Sequence, residues 1–515
     1  MSVRRVVLRP DTYVDSVRLM GAGRAMESSP GVERAFALMA TPVNVAILTG
    51  QGFDDPALGS ARANDLVLAV QAATASDAEG ALLQGEVALT AEPVEAQAGR
   101  ERERRPASLG EATRILPDAN VALVSVPGDF AALECHQALS AGLHVLLFSD
   151  NVDVAAEVAL KERAESLGLL VMGPGAGTAM LGGTGLGFAN VVPRGPIGVV
   201  AAAGTGAQEV MSLIARWGSG VTDVIGIGGR DLSDAVGGRM ARSAIRALHD
   251  DPRVEVILVV SKPPSPTVAA SLVNELGAKP AVVALLGLRD ELSVADGVRV
   301  AATLEEAAAL AIEAVGLPRP VPGRGLVDQV AAAASTLASG RTAVRGLFCG
   351  GTLCYEAMVV LSSRLGPVHS NTPLRDGWGL PAPDGGHICL DLGEEEYTRG
   401  RPHPMIDPGA RSEAIVEAAA DPSTAVILLD VVLGHGSHED PASIVAPVCE
   451  RVTAVPDGPA VVAYVLGTDG DPQGMRGQVA RLEAAGCLIG GTGARSALMA
   501  AAIAGRRPEL AAERP

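Results

Sequence analysis

The sequence predicts an α/β protein, with one doubly wound N-terminal domain followed by two related α/β domains. Three observations lead there. Apolar runs of strand length alternate with Ala/Leu-rich segments of helix length. Hydrophobic residues make up 48% of the chain but aromatics only 2%, so the core must be aliphatic, as where parallel strands lie buried under helices. The third observation is an internal repeat.

Taken in chain order, VNVAILTG (Val43 to Gly50), NVALVSVPG (Asn120 to Gly128), HVLLFSDN (His144 to Asn151) and LLVMGPG (Leu169 to Gly175) read as strands. The segment VDVAAEVALKERAESLG between the last two reads as a helix, with Gly168 as its C-cap. These place the first domain at residues 1–192. Residues 72–111, with the charge run RERERRP, break the pattern and read as an arm or excursion with a solvated face. GTGLGF (Gly183 to Phe188) imitates the start of a dinucleotide fingerprint. It neither follows a clear strand nor precedes an acidic residue at the required distance, which argues against a nicotinamide site.

The repeat spans residues 193–316 and 344–506, joined by a linker at 317–343 that contains LPRPVPGRG, with a tail at 507–515. IGVVAAAGTGAQE (Ile197 to Glu209) matches GLFCGGTLCYE (Gly346 to Glu356). Each has a strand, a Gly-Thr turn and a glutamate four residues after the threonine, Glu209 and Glu356, with Gln208 beside the first. DPRVEVILVVSKPP matches DPSTAVILLDVVLG, so Lys262 and Asp430 end equivalent strands. KPAVVALLG matches GPAVVAYVLG in the same order.

A strand followed by a glycine-rich turn and a helix aims backbone amides at whatever lies before the helix, which suits phosphate or carboxylate. Gly204, Thr205 and Gly206 form one such turn, and Gly350, Gly351 and Thr352 the second. Gly228 and Gly229 form a third, with Arg230 able to fork onto an oxyanion. The alternative is architectural, a tight corner that needs glycine. RGRPHPMIDP (Arg399 to Pro408) clamps His403 between prolines, with Arg399, Arg401 and Asp407 nearby. It reads either as an aimed donor cluster, with His403, Arg401 and Arg230 as catalytic groups, or as a corner histidine bonded to Asp407 or backbone. His435 and His438 in GHGSHED offer a metal pair, but a solvated Gly-rich loop is the preferred reading, so no metal is expected.

A formal charge of −18 opposes binding to nucleic acid or an anionic membrane. The six cysteines show neither CxxC nor zinc spacing, as for reduced thiols. The N-terminus lacks an apolar signal core, and the apolar runs fall short of the roughly 20 residues a spanning helix needs. A cytoplasmic protein is expected.

GPGAG after LLVM, IGVVAAAGTGAQE, GIGGRD and the VILVV strand resemble the α subunit of succinyl-CoA synthetase. TYVDSVRLM, PDANVALVSV, KERAESLGLLVMGP, GIGGRDLS, LDLGEEEYTRGRPHPMIDP and LLDVVLG more closely resemble the FdrA family. The resemblance implies a CoA-binding-like Rossmann domain followed by two flavodoxin-like ligase-CoA domains. It also implies a subunit of a carbamoyltransferase complex in purine or allantoin catabolism. That complex phosphorolyses an N-carbamoyl compound such as oxalurate to oxamate and carbamoyl phosphate, with other subunits as partners and carbamate kinase downstream. Phosphate is then the co-substrate and no cofactor is required. The ligase family's glycine-rich CoA turn is replaced by RPDTYVDSVRLM. Its phosphorylated histidine has no counterpart in LLGLRDELSVADG (Leu285 to Gly297), so CoA is not expected to bind. Two alternatives stand: an acyl-CoA ligase completed by a partner subunit, and a non-catalytic scaffold.

Overall fold

The structure is a computed structural model that describes all residues except 1, 13, 15, 91–105, 289–291, 322–324 and 400–401. The chain divides into two units, Met1–Arg105 with Arg399–Pro402, and Pro106–Thr398 with His403–Pro515.

The first unit contains β1 (Val3–Arg9), α1 (Ser16–Glu27), β2 (Val32–Met39), α2 (Pro42–Gly50), β3 (Leu66–Ala72) and α3 (Ala75–Thr90). Its strands pair antiparallel in the order β1-β3-β2. Side chains of β3 alternate between two cores: Leu66, Leu68 and Val70 pack with Leu19, Met26 and Ala81, while Val67 and Ala69 pack with Leu48, Phe53 and Leu58. This corrects the sequence reading, because the N-terminal segment builds its own antiparallel sheet and parallel pairing starts only at Val121. VNVAILTG is likewise a helix. An unbroken apolar run suits strand and helix equally, and here Thr41 caps the Asn44 N–H while Pro42 occupies the first turn. Within the expected excursion, α3 covers the first part, and the arginine run up to Arg105 lies outside the described residues.

The second unit opens with α4 (Leu109–Ile115), β4 (Val121–Val124), α5 (Gly128–Ser140), β5 (His144–Leu147), α6 (Val154–Leu167) and β6 (Val171–Met172), a parallel sheet β4-β5-β6. Gly168 ends α6 at φ 67° as a left-handed cap. A hairpin follows, β7 (Thr178–Leu181) and β8 (Thr184–Gly187). GTGLGF is therefore largely a hairpin strand, not a phosphate turn.

The first repeat runs β9 (Arg194–Ala201), α7 (Gly204–Arg216), β10 (Val221–Gly226), α8 (Arg239–Asp250), β11 (Val256–Ser261), α9 (Pro266–Asn274), β12 (Ala281–Leu285), β13 (Val298–Val300) and α10 (Leu304–Ala314). Helix α11 (Leu326–Thr336) lies in the expected linker. The second repeat runs β14 (Ala343–Phe348), α12 (Gly351–Leu365), β15 (Val368–His369), β16 (His387–Asp391), α13 (Glu395–Thr398), α14 (Ser412–Ala420), β17 (Thr424–Val432), α15 (Pro441–Thr453), β18 (Ala460–Leu466), α16 (Met475–Ala484), β19 (Leu488–Gly490) and α17 (Gly493–Ala504). The sheets are ordered β13-β12-β11-β9-β10-β7-β8 and β15-β16-β14-β17-β18-β19. The run 13-12-11-9-10 in one equals 19-18-17-14-16 in the other, so the repeat is structural. In each copy the Gly-Thr turn leads from a central strand into a helix, at the carboxyl end of the strands where open α/β sheets collect ligands. Val210 and Met211 of α7 share one buried core with Leu353 and Ala357 of α12 and Leu498 of α17.

Candidate functional site

Helices α7 and α12 meet N-terminus to N-terminus. The Thr352 N–H donates to Thr205 Oγ1 at 3.3 Å. A Cβ on Gly206 would stand 3.0 Å from Thr352 Cγ2, and one on Gly350 would stand 3.0 Å from Thr205 Cγ2. The glycines are there because two turns must abut. Each helix start carries partial positive charge, so the junction favours negative groups.

The two starts meet this need differently. At α12, Asp430 accepts the Cys349 and Gly350 N–H groups at 2.8 Å each. Arg411 Nη1 donates to Asp430 Oδ1 at 2.9 Å and to its carbonyl at 2.6 Å, and both side chains are buried. The second glycine turn is thus occupied by the protein's own carboxylate, not left as an open anion nest as the sequence suggested. Asp430 is a structural counter-ion.

At α7 no side chain caps the helix, and the amides of Gly204, Thr205 and Gly206 make no hydrogen bond among the described residues. Thr178, 2% exposed, points its Oγ1 here, 3.4 Å from where a Gly204 Cβ would stand. That hydroxyl is buried without a hydrogen-bond partner. Gly175, Gly177, Gly204, Gly226, Gly228 and Gly229 line the cleft around it with Thr178. Gly226 is required by contact, because a Cβ would stand 2.2 Å from the Thr178 carbonyl. Gly228 is required by conformation, at φ +83°. A free helix start, a free hydroxyl and close backbone approach together suit an oxyanion. Thr178 gives no sequence signal of its own, since it lies on a short strand.

The other predicted residues divide. Arg230 donates from Nε to Glu157 at 3.0 Å and from Nη2 to the Val152 carbonyl at 2.6 Å. It fastens its loop to α6 beside the buried Glu157–Lys161–Asp231 network, so Nε and Nη2 are engaged by the protein itself and not free as the sequence reading expected. Asp407 caps the short turn that follows it, accepting the Gly409 N–H at 3.1 Å. Arg399 is exposed and grouped with the first unit, and Arg401 lies outside the described residues. Gln208 is buried and donates to Asn190 Oδ1 at 3.1 Å, a packing role. His438 Nδ1 accepts the Asp440 N–H at 3.0 Å. Among the described residues no group of three His, Cys, Asp or Glu side chains could hold a metal, and no helix is long and apolar enough to cross a membrane.

His403 Nδ1 accepts the Met405 N–H at 3.2 Å, so the backbone fixes the neutral ring with its proton on Nε2. Burial holds its pKa below the usual value. A Cβ on Gly393 would stand 2.5 Å from Nε2 and 3.2 Å from Asp391 Oδ1. Asp391, which sequence reading missed, ends β16 almost fully buried. Lys262 from the first copy stands 3.3 Å from a Gly351 Cβ position.

Glu209 and Glu356 also face one another across the repeats. Glu209 accepts from Tyr464 Oη at 2.5 Å and from the Gly493 N–H at 3.2 Å. Glu356 accepts the Leu304 N–H at 2.6 Å. Each glutamate thus caps the last helix of the other copy. Burial raises the Glu209 pKa to about 7 and that of Glu356 well above its usual value, with Glu209 adding to the latter shift.

Comparison with known proteins agrees with this architecture and corrects the expected activity. Residues 347–503 match the CoA-ligase family, and residues 1–106 match a family described as AllF, heavy metal-associated domain. Those first 106 residues hold neither Cys nor His, so the thiolate and imidazole ligands of a heavy-metal site are missing there. The uncharacterized protein YahF of Escherichia coli (strain K12) is 39% identical over 510 residues, 97% of this chain and 98% of that protein. Succinate–CoA ligase [ADP-forming] subunit alpha 2 of Archaeoglobus fulgidus is 29% identical over 177 residues, 33% of this chain and 60% of that protein. ADP-forming sulfoacetate–CoA ligase subunit SauD of Bilophila wadsworthia is 28% identical over 151 residues, 28% of this chain and 50% of that protein. These similarities lead to CoA ligases, which overturns the expected carbamoyltransferase activity; none of them supports the expected place in purine catabolism. The chain belongs to the family of YahF, whose CoA-ligase domain relates it to the α subunits of succinate–CoA ligases.

Proposed function

We propose that this chain is the anion-handling subunit of an acyl-CoA ligase-type enzyme, and that a partner chain completes it. The reaction class joins a small carboxylic acid to CoA at the expense of a nucleoside triphosphate, through an acyl phosphate. The observation that carries this reading is the start of α7, where Gly204 and the buried Thr178 hydroxyl line one glycine-rich cleft and the amides of Gly204, Thr205 and Gly206 make no hydrogen bond among the described residues. Such a site stabilises a phosphoryl group or an attacked carboxylate through fixed dipoles, without reorganisation during reaction.

A partner is part of the proposal because of what the chain does not offer. Leu285 to Gly297 carries no histidine that could hold a phosphoryl group. In the parallel sheet of residues 106–192 the first strand, β4, leads into α5 through Ser125, Val126 and Pro127, not through a glycine-rich turn. The relatives named for succinate and sulfoacetate make small, doubly anionic acids reasonable first substrates.

The test is to purify the co-expressed complex and supply ATP, CoA and either acid, following thioester formation. The complex is expected to form acyl-CoA, the chain alone is not, and Gly204→Asp in the complex is expected to lose the activity with folding intact. Full activity in the Gly204→Asp complex would contradict the assignment of the site. A complex that releases phosphate without CoA would contradict the reaction class.

A further inference from the structure

Two charged side chains at the junction of α7 and α12 are not accounted for by packing. Lys262 extends from the end of β11, next to the strand that feeds α7, and makes no ion pair within 4 Å among the described residues. Its Nζ lies 3.3 Å from a Gly351 Cβ position, and Asp391 Oδ2 lies 2.3 Å from the same point. Thr205 packs against the adjacent Gly350. Lys262, Asp391 and the start of α7 therefore border one junction, where Thr205, Lys262 and Gly351 are all half-buried.

Asp391 is held for a task. Its backbone N–H donates to Asn371 Oδ1 and its carbonyl accepts from Asn371 Nδ2, each at 3.0 Å. Its Oδ1 accepts the Gly393 N–H at 3.0 Å. Oδ2 makes no hydrogen bond among the described residues, although Asp391 is buried.

We propose that Lys262 and Asp391 complete the α7 site as a proton-coupled pair: Lys262 contacts the bound oxyanion, and Asp391 takes up a proton on Oδ2 and donates it as a hydrogen bond to that oxyanion. The proposal rests on the α7 reading above. It adds that one proton enters with the anion and stays on Asp391, with no bond made or broken elsewhere. The ligand class is a tetrahedral oxyanion such as phosphate or sulfonate, which offers acceptor oxygens to α7 and Asp391 at once. Asp391 is faced by Lys262, by Asp430 on β17 with Arg411 behind it, by Glu394 after β16, by Cys349 and Cys354 at α12, and by His403 across Gly393. Burial, first, then Glu394 and Asp430 raise its pKa, against the lowering by Lys262, to about 6. The free carboxyl is therefore mostly ionised at neutral pH and must take up its proton when the anion arrives.

Calorimetry with sulfate, which does not titrate near neutrality, tests this on the whole chain. Titrations between pH 6.5 and 8.5 in buffers of different ionisation heat report protons exchanged. The native protein is expected to take up about one proton per sulfate and to bind roughly tenfold more weakly per pH unit. Asp391→Asn is expected to exchange none, to bind independently of pH and to bind more tightly than the native protein at pH 8. Lys262→Met is expected to lose roughly tenfold or more at both ends of the range. Native-like proton uptake in Asp391→Asn, with binding still lost in Gly204→Asp, overturns this pair and leaves the α7 site standing. Binding undisturbed by Gly204→Asp overturns the α7 reading itself, and no sulfate binding at tens of millimolar overturns both.

Discussion

At the scale of single residues, glycine positions mark where the backbone must come close. Gly226→Ala would drive a Cβ into the Thr178 carbonyl, a backbone atom that cannot swing aside. We expect a loss of about 3 kcal/mol or more in chemical denaturation, since overpacking of flexible contacts alone typically costs about 1–3 kcal/mol. Removing Asp430 should cost more than its size implies. Asp430→Ala strands the Arg411 guanidinium and two amides in the interior, and breaking a buried pair in this way costs about 3–5 kcal/mol. A urea midpoint unchanged from the native protein would show that Asp430 is not the counter-ion of α12. The Gly-Thr turns, Lys262 and Asp430 were legible in the sequence because they recur at matched places in a repeat. Thr178 and Asp391 were not, because one threonine on a short strand and one aspartate at a strand end carry no pattern. His403 was legible as a rigid corner. Its partner proved to be the Met405 amide rather than Asp407, a choice that depends on local torsions no spacing rule contains.

At the scale of elements, the two copies are joined through their helices. Glu209 of α7 bonds to the start of α17, and Glu356 of α12 to the start of α10. A carboxyl whose folded pKa is raised retains its proton in the folded state. Its contribution is complete below the unfolded value near 4.5 and is lost as pH rises through the folded value, about 7 for Glu209. Thermal stability should therefore fall between pH 5 and pH 8 by more in the native protein than in Glu209→Gln. Buried His403 acts in the opposite sense, since its lowered pKa favours the folded state at higher pH, so only the difference between the two proteins isolates the glutamate. Equal pH slopes would mean that Glu209 is ionised throughout. The three matched strands of each repeat and the helix after each Gly-Thr turn were readable from the sequence, and α2 was not. Its composition suits either state, and a threonine cap with the following proline decided it.

At the scale of the whole molecule, duplication supplied two equivalent turns and the sequence then differentiated them. The second copy fills its turn with Asp430, while the first leaves three amides free. The sequence resemblance captured the α/β class and the ligase relationship, but the N-terminal region was misread. Its strands are rich in aliphatic residues like those that follow, and their pairing direction, set by non-local contacts, separates an antiparallel sheet from a Rossmann half. A chain whose Leu285 to Gly297 segment holds no histidine to carry phosphate is, on the proposed reading, expected to act within an assembly. Size measurement of the co-expressed material should show this chain with a second species, and a chain that forms acyl-CoA alone would remove the need for one.

The central claim is that the start of α7 takes an exogenous anion while the start of α12 is already satisfied. The most direct measurement is an anomalous difference map from crystals soaked in selenate. The account predicts a selenium peak within hydrogen-bonding reach of the Gly204, Thr205 and Gly206 amides and of Thr178 Oγ1, with Asp430 unmoved on the Cys349 and Gly350 amides. An absent peak at α7, or a peak at α12 with Asp430 displaced, would contradict it.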